Sequence, residues 1–133
     1  MTILEDSDSL CFWEEQNIIC YVYKKPVLDL EMAKLAMSSR LRVTNNSPCV
    51  LLTDLTNVKS TTKEARAYYI ANNTKDLVKA VALITPSILT KIMATFFINF
   101  DKPGIPVKMF TSREKAIEWL KELNLLSLPV NYI

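Results

Sequence analysis

Apolar and polar positions divide this chain into short strand-like runs separated by longer stretches of helical spacing. Ser9-Leu10-Cys11-Phe12-Trp13 and Ile18-Ile19-Cys20-Tyr21-Val22-Tyr23 are rich in β-branched and aromatic residues and flank the polar connector Glu14-Glu15-Gln16-Asn17. That pattern predicts a β-hairpin. Beyond Pro26 the period changes: Leu30, Ala33, Met37 and Leu41 recur at helical spacing, with Asp29 placed to cap the start and Asn45-Asn46-Ser47-Pro48 to end the helix. Cys49-Val50-Leu51-Leu52 and Ala80-Val81-Ala82-Leu83-Ile84 are continuous apolar runs, as expected of strands covered on both faces. Between them, Thr61-Thr62-Lys63-Glu64 has the form of a capping box opening a helix through Ala65, Tyr68 and Tyr69.

After Pro86, the pairs Ile88-Leu89, Ile92-Met93 and Phe96-Phe97, then Phe100, advance by four and predict a helix with a wide apolar stripe, extended by Ala94 and Ile98. Ile105 to Phe110 alternates but contains Pro106, which cannot donate to a ladder, so this strand belongs at a sheet edge. Thr111-Ser112-Arg113-Glu114 reads as a second capping box before a last helix that turns Ala116, Ile117, Leu120 and Leu123 inward. The order is ββαβαβαβα. It predicts an α/β domain with a mixed, mostly parallel five-stranded sheet, right-handed crossovers and amphipathic helices. At 133 residues there is room for one domain, with a core over about 9–124 and an apolar tail over 125–133.

Charge and composition mainly exclude. A net charge of +2 gives no basic footprint for nucleic acid. The start Met1-Thr2-Ile3-Leu4-Glu5-Asp6 is acidic and unlike a secretory leader, and no apolar run reaches the roughly 20 residues that span a bilayer. A cytoplasmic location and reduced Cys11, Cys20 and Cys49 are the expectation. The chain has no histidine, which removes Ser/His and Cys/His pairs and His-based metal sites. Its only glycine is Gly104, so no glycine-rich loop exists to cradle a phosphate. No catalytic residue, cofactor site or metal site is expected.

This order of elements resembles the STAS and SpoIIAA-like fold, named for sulfate transporters and anti-sigma factor antagonists, within the wider STAS/SEC14-like group. Leu52-Thr53-Asp54-Leu55-Thr56-Asn57-Val58 is similar to the step that precedes the second helix of STAS domains, and Phe96 to Pro103 with Phe110 to Leu120 resembles uncharacterised bacterial members. The resemblance implies the fold and a binding or regulatory role. The antagonists carry an Asp-Ser-Ser-Gly type phosphoacceptor motif where this chain has Thr62-Lys63-Glu64-Ala65, so that serine is absent here.

Two places could carry function. Asp54 closes a central strand and, with Thr56, Ser60, Thr61 and Thr62, makes a hydroxyl-rich loop feeding a helix N-terminus. Strand termination and capping account for the same residues more simply, with Thr61 and Glu64 as the capping pair. Met93, Phe96, Phe97 and Phe100 offer an apolar surface for a ligand or partner beyond what covering a sheet needs. Tyr68, Tyr69, Trp13 and Trp119 could wall a ligand, though aromatics at core spacing ordinarily pack, and Lys24, Lys25, Lys34, Arg40 and Arg42 read as solvated. The leading expectation is a non-enzymatic module acting through contacts with another protein or with itself, a homodimer included. The alternative is a small carrier or sensor of an apolar molecule held between the sheet and the phenylalanine-rich helix.

Overall fold

The computed structural model describes residues 1–72, 77–85 and 106–126. In chain order the elements are β1 (Thr2–Asp6), β2 (Leu10–Glu15), β3 (Ile18–Tyr23), β4 (Val27–Leu28), α1 (Leu30–Val43), β5 (Cys49–Asp54), β6 (Ser60–Thr61), α2 (Lys63–Ala71), β7 (Val78–Ile84), β8 (Val107–Phe110) and α3 (Arg113–Leu126). The main sheet has the order β1-β2-β3-β5-β7-β8, antiparallel up to β3 and parallel from β3 to β8. The proline-led strand β8 lies at an edge, and Pro106 contributes only its carbonyl, accepting from the Val81 N–H at 3.0 Å.

The sheet has six strands where the pattern predicts five, because the acidic N-terminus is itself a strand. Its register pairs Ile3 with Trp13 and then Glu5 with Phe12, so Leu4 is the extra residue of a bulge. The bulge moves Glu5 onto the side of the sheet that faces α1. There the Ser39 hydroxyl donates to Oε1 at 2.7 Å, and Arg42 donates from Nη2 to Oε1 at 2.6 Å and from Nε to Oε2 at 3.1 Å. Asp6 pairs with Lys24, whose ammonium also donates to the Ser7 carbonyl at 2.7 Å. Two of the cations expected to be merely solvated therefore fasten β1. Arg40 is also placed differently from the expectation: it is buried, with Nη2 directed at the Met37 sulfur at 3.0 Å.

β2 runs on through Glu14 and Glu15, leaving Gln16 and Asn17 alone in the turn at φ 52° and 65°. A two-residue hairpin turn needs positive φ at both positions to match the strand twist, and Asn tolerates it better than most residues. Glu15 stays in the strand because its carboxylate accepts from Trp13 Nε1 at 2.8 Å and pairs with Arg113, whose guanidinium lies 5.8 Å from the Trp13 ring centre.

Strands β3, β5 and β7 send alternate residues into two separate cores, which is why their sequences are nearly continuous in apolar residues. One core joins Phe12, Ile19, Tyr21, Leu51 and Leu83 to Met32, Ala33 and Ala36 of α1 and Ala65 of α2. The other joins Ile18, Cys20, Val50, Leu52, Ala80 and Ala82 to Ala116 and Leu120 of α3. Each fully buried large side chain, such as Phe12 or Leu52 at 0% exposure, contributes about 1.5–3 kcal/mol.

Asp29 caps α1 as expected, its carboxylate accepting from the Met32 N–H at 2.9 Å, and Asn45 and Asn46 end the helix at φ 52° and 58°. The other two caps sit one residue later than the capping boxes predict. Thr62, not Thr61, caps α2 by accepting from the Ala65 N–H at 3.1 Å, because Thr61 is already committed to β6. Ser112, not Thr111, caps α3 by accepting from the Lys115 N–H at 3.3 Å. Among the described residues no helix is long and apolar enough to cross a membrane.

Candidate functional site

The hydroxyl-rich segment after β5 lies at the carboxyl end of the parallel strands, where open α/β sheets tend to present functional groups. Asp54 Oδ1 accepts from the Thr56 N–H at 2.8 Å and from the Thr56 hydroxyl, which turns the chain sharply out of the strand. Leu55 and Val58 are then buried as anchors, and the Leu55 N–H reaches the Ile84 carbonyl at 3.0 Å. The return leg is held from outside: Pro26 O accepts from the N–H groups of Lys59 at 2.7 Å and Ser60 at 3.1 Å, and Leu28 O accepts from Thr62 at 3.0 Å. These bonds, with the Val27–Ser60 and Leu28–Thr61 pairing, make the small β4–β6 ladder.

The five candidate residues form two local units. Asp54 and Thr56 satisfy each other. Thr61 accepts from Arg66 Nη1 at its hydroxyl (2.8 Å) and its carbonyl (3.0 Å), while Thr62 is spent on the cap. Ser60 is exposed, as are Thr56, Asn57 and Lys59, and Asn57 Nδ2 donates to the Tyr23 carbonyl at 3.1 Å. The loop is thus pinned at several points while its outer side chains face water.

Behind it lies an aromatic layer that joins hairpin residues to Tyr69 of α2. Phe12 stacks on Tyr21 at 4.7 Å, Tyr21 meets Tyr23 edge-on at 5.4 Å, and the Tyr23 and Tyr69 hydroxyls are 2.6 Å apart. Burial pushes both the Tyr23 and Tyr69 phenols well above their ordinary range, so they remain neutral at physiological pH. The hydroxyls of Thr53 and Thr85, at the ends of β5 and β7, are buried and make no hydrogen bond among the described residues. Nothing in the sequence distinguishes those two threonines from ordinary strand residues. Tyr68 and Tyr69 pack in one core and Trp13 and Trp119 against the other, so the four are not brought together as a ligand wall. The surface of Met93, Phe96, Phe97 and Phe100 lies outside the described residues.

At the opposite end of the sheet a cleft of about 290 Å³ opens between the hairpin turn and the C-terminal ends of α1 and α3. Glu14, Asn17, Thr44, Ser47, Cys49 and Asn124 give it a largely polar rim. The thiols are poorly suited to nucleophilic work. Burial pushes Cys20 up to about 12 and raises Cys49 and Cys11 as well, so none is a thiolate near neutral pH. Among the described residues no group of Cys, Asp and Glu side chains is arranged to hold a metal ion.

A two-core mixed sheet with a pinned loop at the carboxyl end of β5 defines a SpoIIAA-like α/β domain. The crystal structure of an uncharacterised protein of the DUF3478 family from Shewanella loihica PV-4, described as having a SpoIIAA-like fold, superimposes with a TM-score of 0.64. The match covers 84% of this chain and 92% of that one at 17% identity, which shows the fold alone. Residues 12–124 match the domain of unknown function DUF7793, and the chain belongs to that family. Among curated proteins none matches it.

Proposed function

We propose that the domain is a non-enzymatic binding or regulatory module that works through protein contacts, with the loop at 55–62 as one contact surface. The observation that supports this reading is how the loop spends its polar groups. Asp54 Oδ1 and the Thr62 hydroxyl accept from backbone N–H groups and the Thr61 hydroxyl accepts from Arg66, so these groups serve to hold the loop and helix rather than to meet a substrate. What the loop offers outward is a fixed polar surface of Thr56, Asn57, Lys59 and Ser60. A surface fixed in advance loses little conformational entropy when a partner docks, which favours recognition. The same fixed backbone makes recognition sensitive to a single outward side chain.

Two measurements on the intact chain test this. Native mass spectrometry should find no retained small molecule, and affinity purification should recover a protein partner that the Lys59→Glu, Ser60→Arg variant loses while its circular dichroism and melting are unchanged. A retained apolar molecule would favour the carrier reading instead. A partner set indifferent to the loop variant would overturn the assignment of the surface.

A further inference from the structure

We propose that the open edge of β1 is a homodimer surface, on which β1 of a second copy pairs antiparallel across a two-fold axis at Ile3 and joins the two six-stranded sheets. This stands apart from the proposed function, since β2 and β3 separate β1 from β5, the strand that the loop follows.

Among the described residues, β1 is hydrogen-bonded to β2 on one side only. Its other side presents unpaired N–H and C=O groups, a template for a further strand. The large apolar side chains left exposed among the described residues are Met1 (83%), Ile3 (57%), Leu4 (37%) and Val27 (43%), and three of these four fall in the first four residues. Half-buried Trp13, the register partner of Ile3, continues the apolar strip inward on the same face. α3 packs mainly on β7 and β5 and leaves this corner of the face uncovered by its main contacts.

Edge strands usually avoid association by displaying charge. Here both charges of the strand are tied back into the same molecule: the bulge turns Glu5 to Ser39 and Arg42, and Asp6 is held by Lys24. The acidic guard is present in the sequence and neutralised in the fold. A second copy is the occupant the strand fits best, because the segment is compatible with itself. With the axis at Ile3, Ile3 faces Ile3 of the partner subunit and Thr2 faces Leu4 of the partner subunit, so apolar groups meet at the centre. Glu5 falls opposite Met1 of the partner subunit, and no two carboxylates oppose each other. An isologous contact of this kind closes as a dimer and satisfies both free edges at once.

Sedimentation of the intact chain over a micromolar concentration series should show a dimer that dissociates on dilution, and Ile3→Lys should sediment as a monomer and melt as the wild type does at dilutions where it too is monomeric. Ile3→Cys, in a chain with Cys11 replaced by Ser, should form a symmetric disulfide under mild oxidation, because facing strand positions are about 4.5–5.5 Å apart and a disulfide spans about 4.4–6.8 Å. That second variant decides the matter should Ile3→Lys fail to fold. A wild-type chain that is monomeric throughout, a folded Ile3→Lys that remains dimeric, or a dimeric Ile3→Cys that does not cross-link would each overturn the proposal. A monomer whose edge is filled only by a different protein counts against it equally.

Discussion

The Tyr23 and Tyr69 hydroxyls meet at 2.6 Å and tie the end of β3 to α2, across 46 residues of sequence. Tyr23 is 2% exposed, so its hydroxyl depends on protein partners rather than water. Tyr69→Phe is expected to destabilise the domain by about 1–3 kcal/mol, because it strips a hydrogen bond from a buried polar group. The double variant with Tyr23→Phe should recover part of that loss. Denaturant unfolding of the single and double variants measures both, and a neutral Tyr69→Phe would contradict the assignment.

The clamp on β1 predicts a pH dependence. The Arg42 guanidinium and then the Ser39 hydroxyl hold the Glu5 carboxyl below its ordinary 4.5, against a smaller opposing effect of burial. A depressed carboxylate contributes stability that is fully present above its unfolded value and is lost as pH falls through its folded value. Wild-type protein should therefore lose stability below about pH 4.5 more steeply than Glu5→Gln, with the two profiles running parallel at neutral pH. Thermal melts from pH 7 to pH 3 give the comparison, and identical slopes would show that the clamp does not form.

Thr62 rather than Thr61 is the cap of α2, which separates two otherwise equivalent substitutions. Thr62→Ala should cost about 1 kcal/mol, with Thr62→Ser close to wild type. Thr61→Ala should act instead by loosening Arg66, and its effect should disappear in a chain already carrying Arg66→Ala. If Thr61→Ala were the one that lost helix stability in an Arg66→Ala background, the cap would have been misplaced by a residue.

Cys20 is fully buried with its ionisation pushed up to about 12. Its alkylation at neutral pH should proceed only as fast as the domain opens, and should accelerate to the rate of a free thiol in denaturant. Mass spectrometry of the labelled Cys20 peptide over time follows this. Rapid labelling in native buffer would mean that the core between the sheet and α3 is open to solvent.

Much of this architecture could be read directly from local pattern. The continuous apolar runs at 49–52 and 80–84 announce strands covered on both faces, and Asp29 announces the start of α1 because no competing hydroxyl stands beside it. Where two capping candidates stand together, as at Thr61-Thr62 and Thr111-Ser112, the choice depends on what else the first one does. For Thr61 that is pairing with Leu28, 33 positions away in the chain and invisible to any local rule. β1 is not legible for a related reason: Glu5 and Asp6 look solvated until Arg42 and Lys24 are brought to them by the fold. The candidate loop was recognisable from its composition and its place after a central strand. Its rigidity was not, since that comes from the carbonyls of Pro26 and Leu28.

The turn at Gln16-Asn17 governs more than the hairpin it closes. β3 is the strand at which the antiparallel and parallel halves of the sheet join, and its register on β2 is set by a connection of just two residues. Lengthening that connection by one would rotate β3 by half a pleat, sending Ile19, Tyr21 and Tyr23 toward α3 and Ile18, Cys20 and Val22 toward α1. Both cores would then be filled from the wrong set of side chains. Related sequences should therefore hold the number of residues in this turn fixed and exchange its residues only among those that accept positive φ, so that a one-residue insertion here is a fault no single compensating substitution repairs.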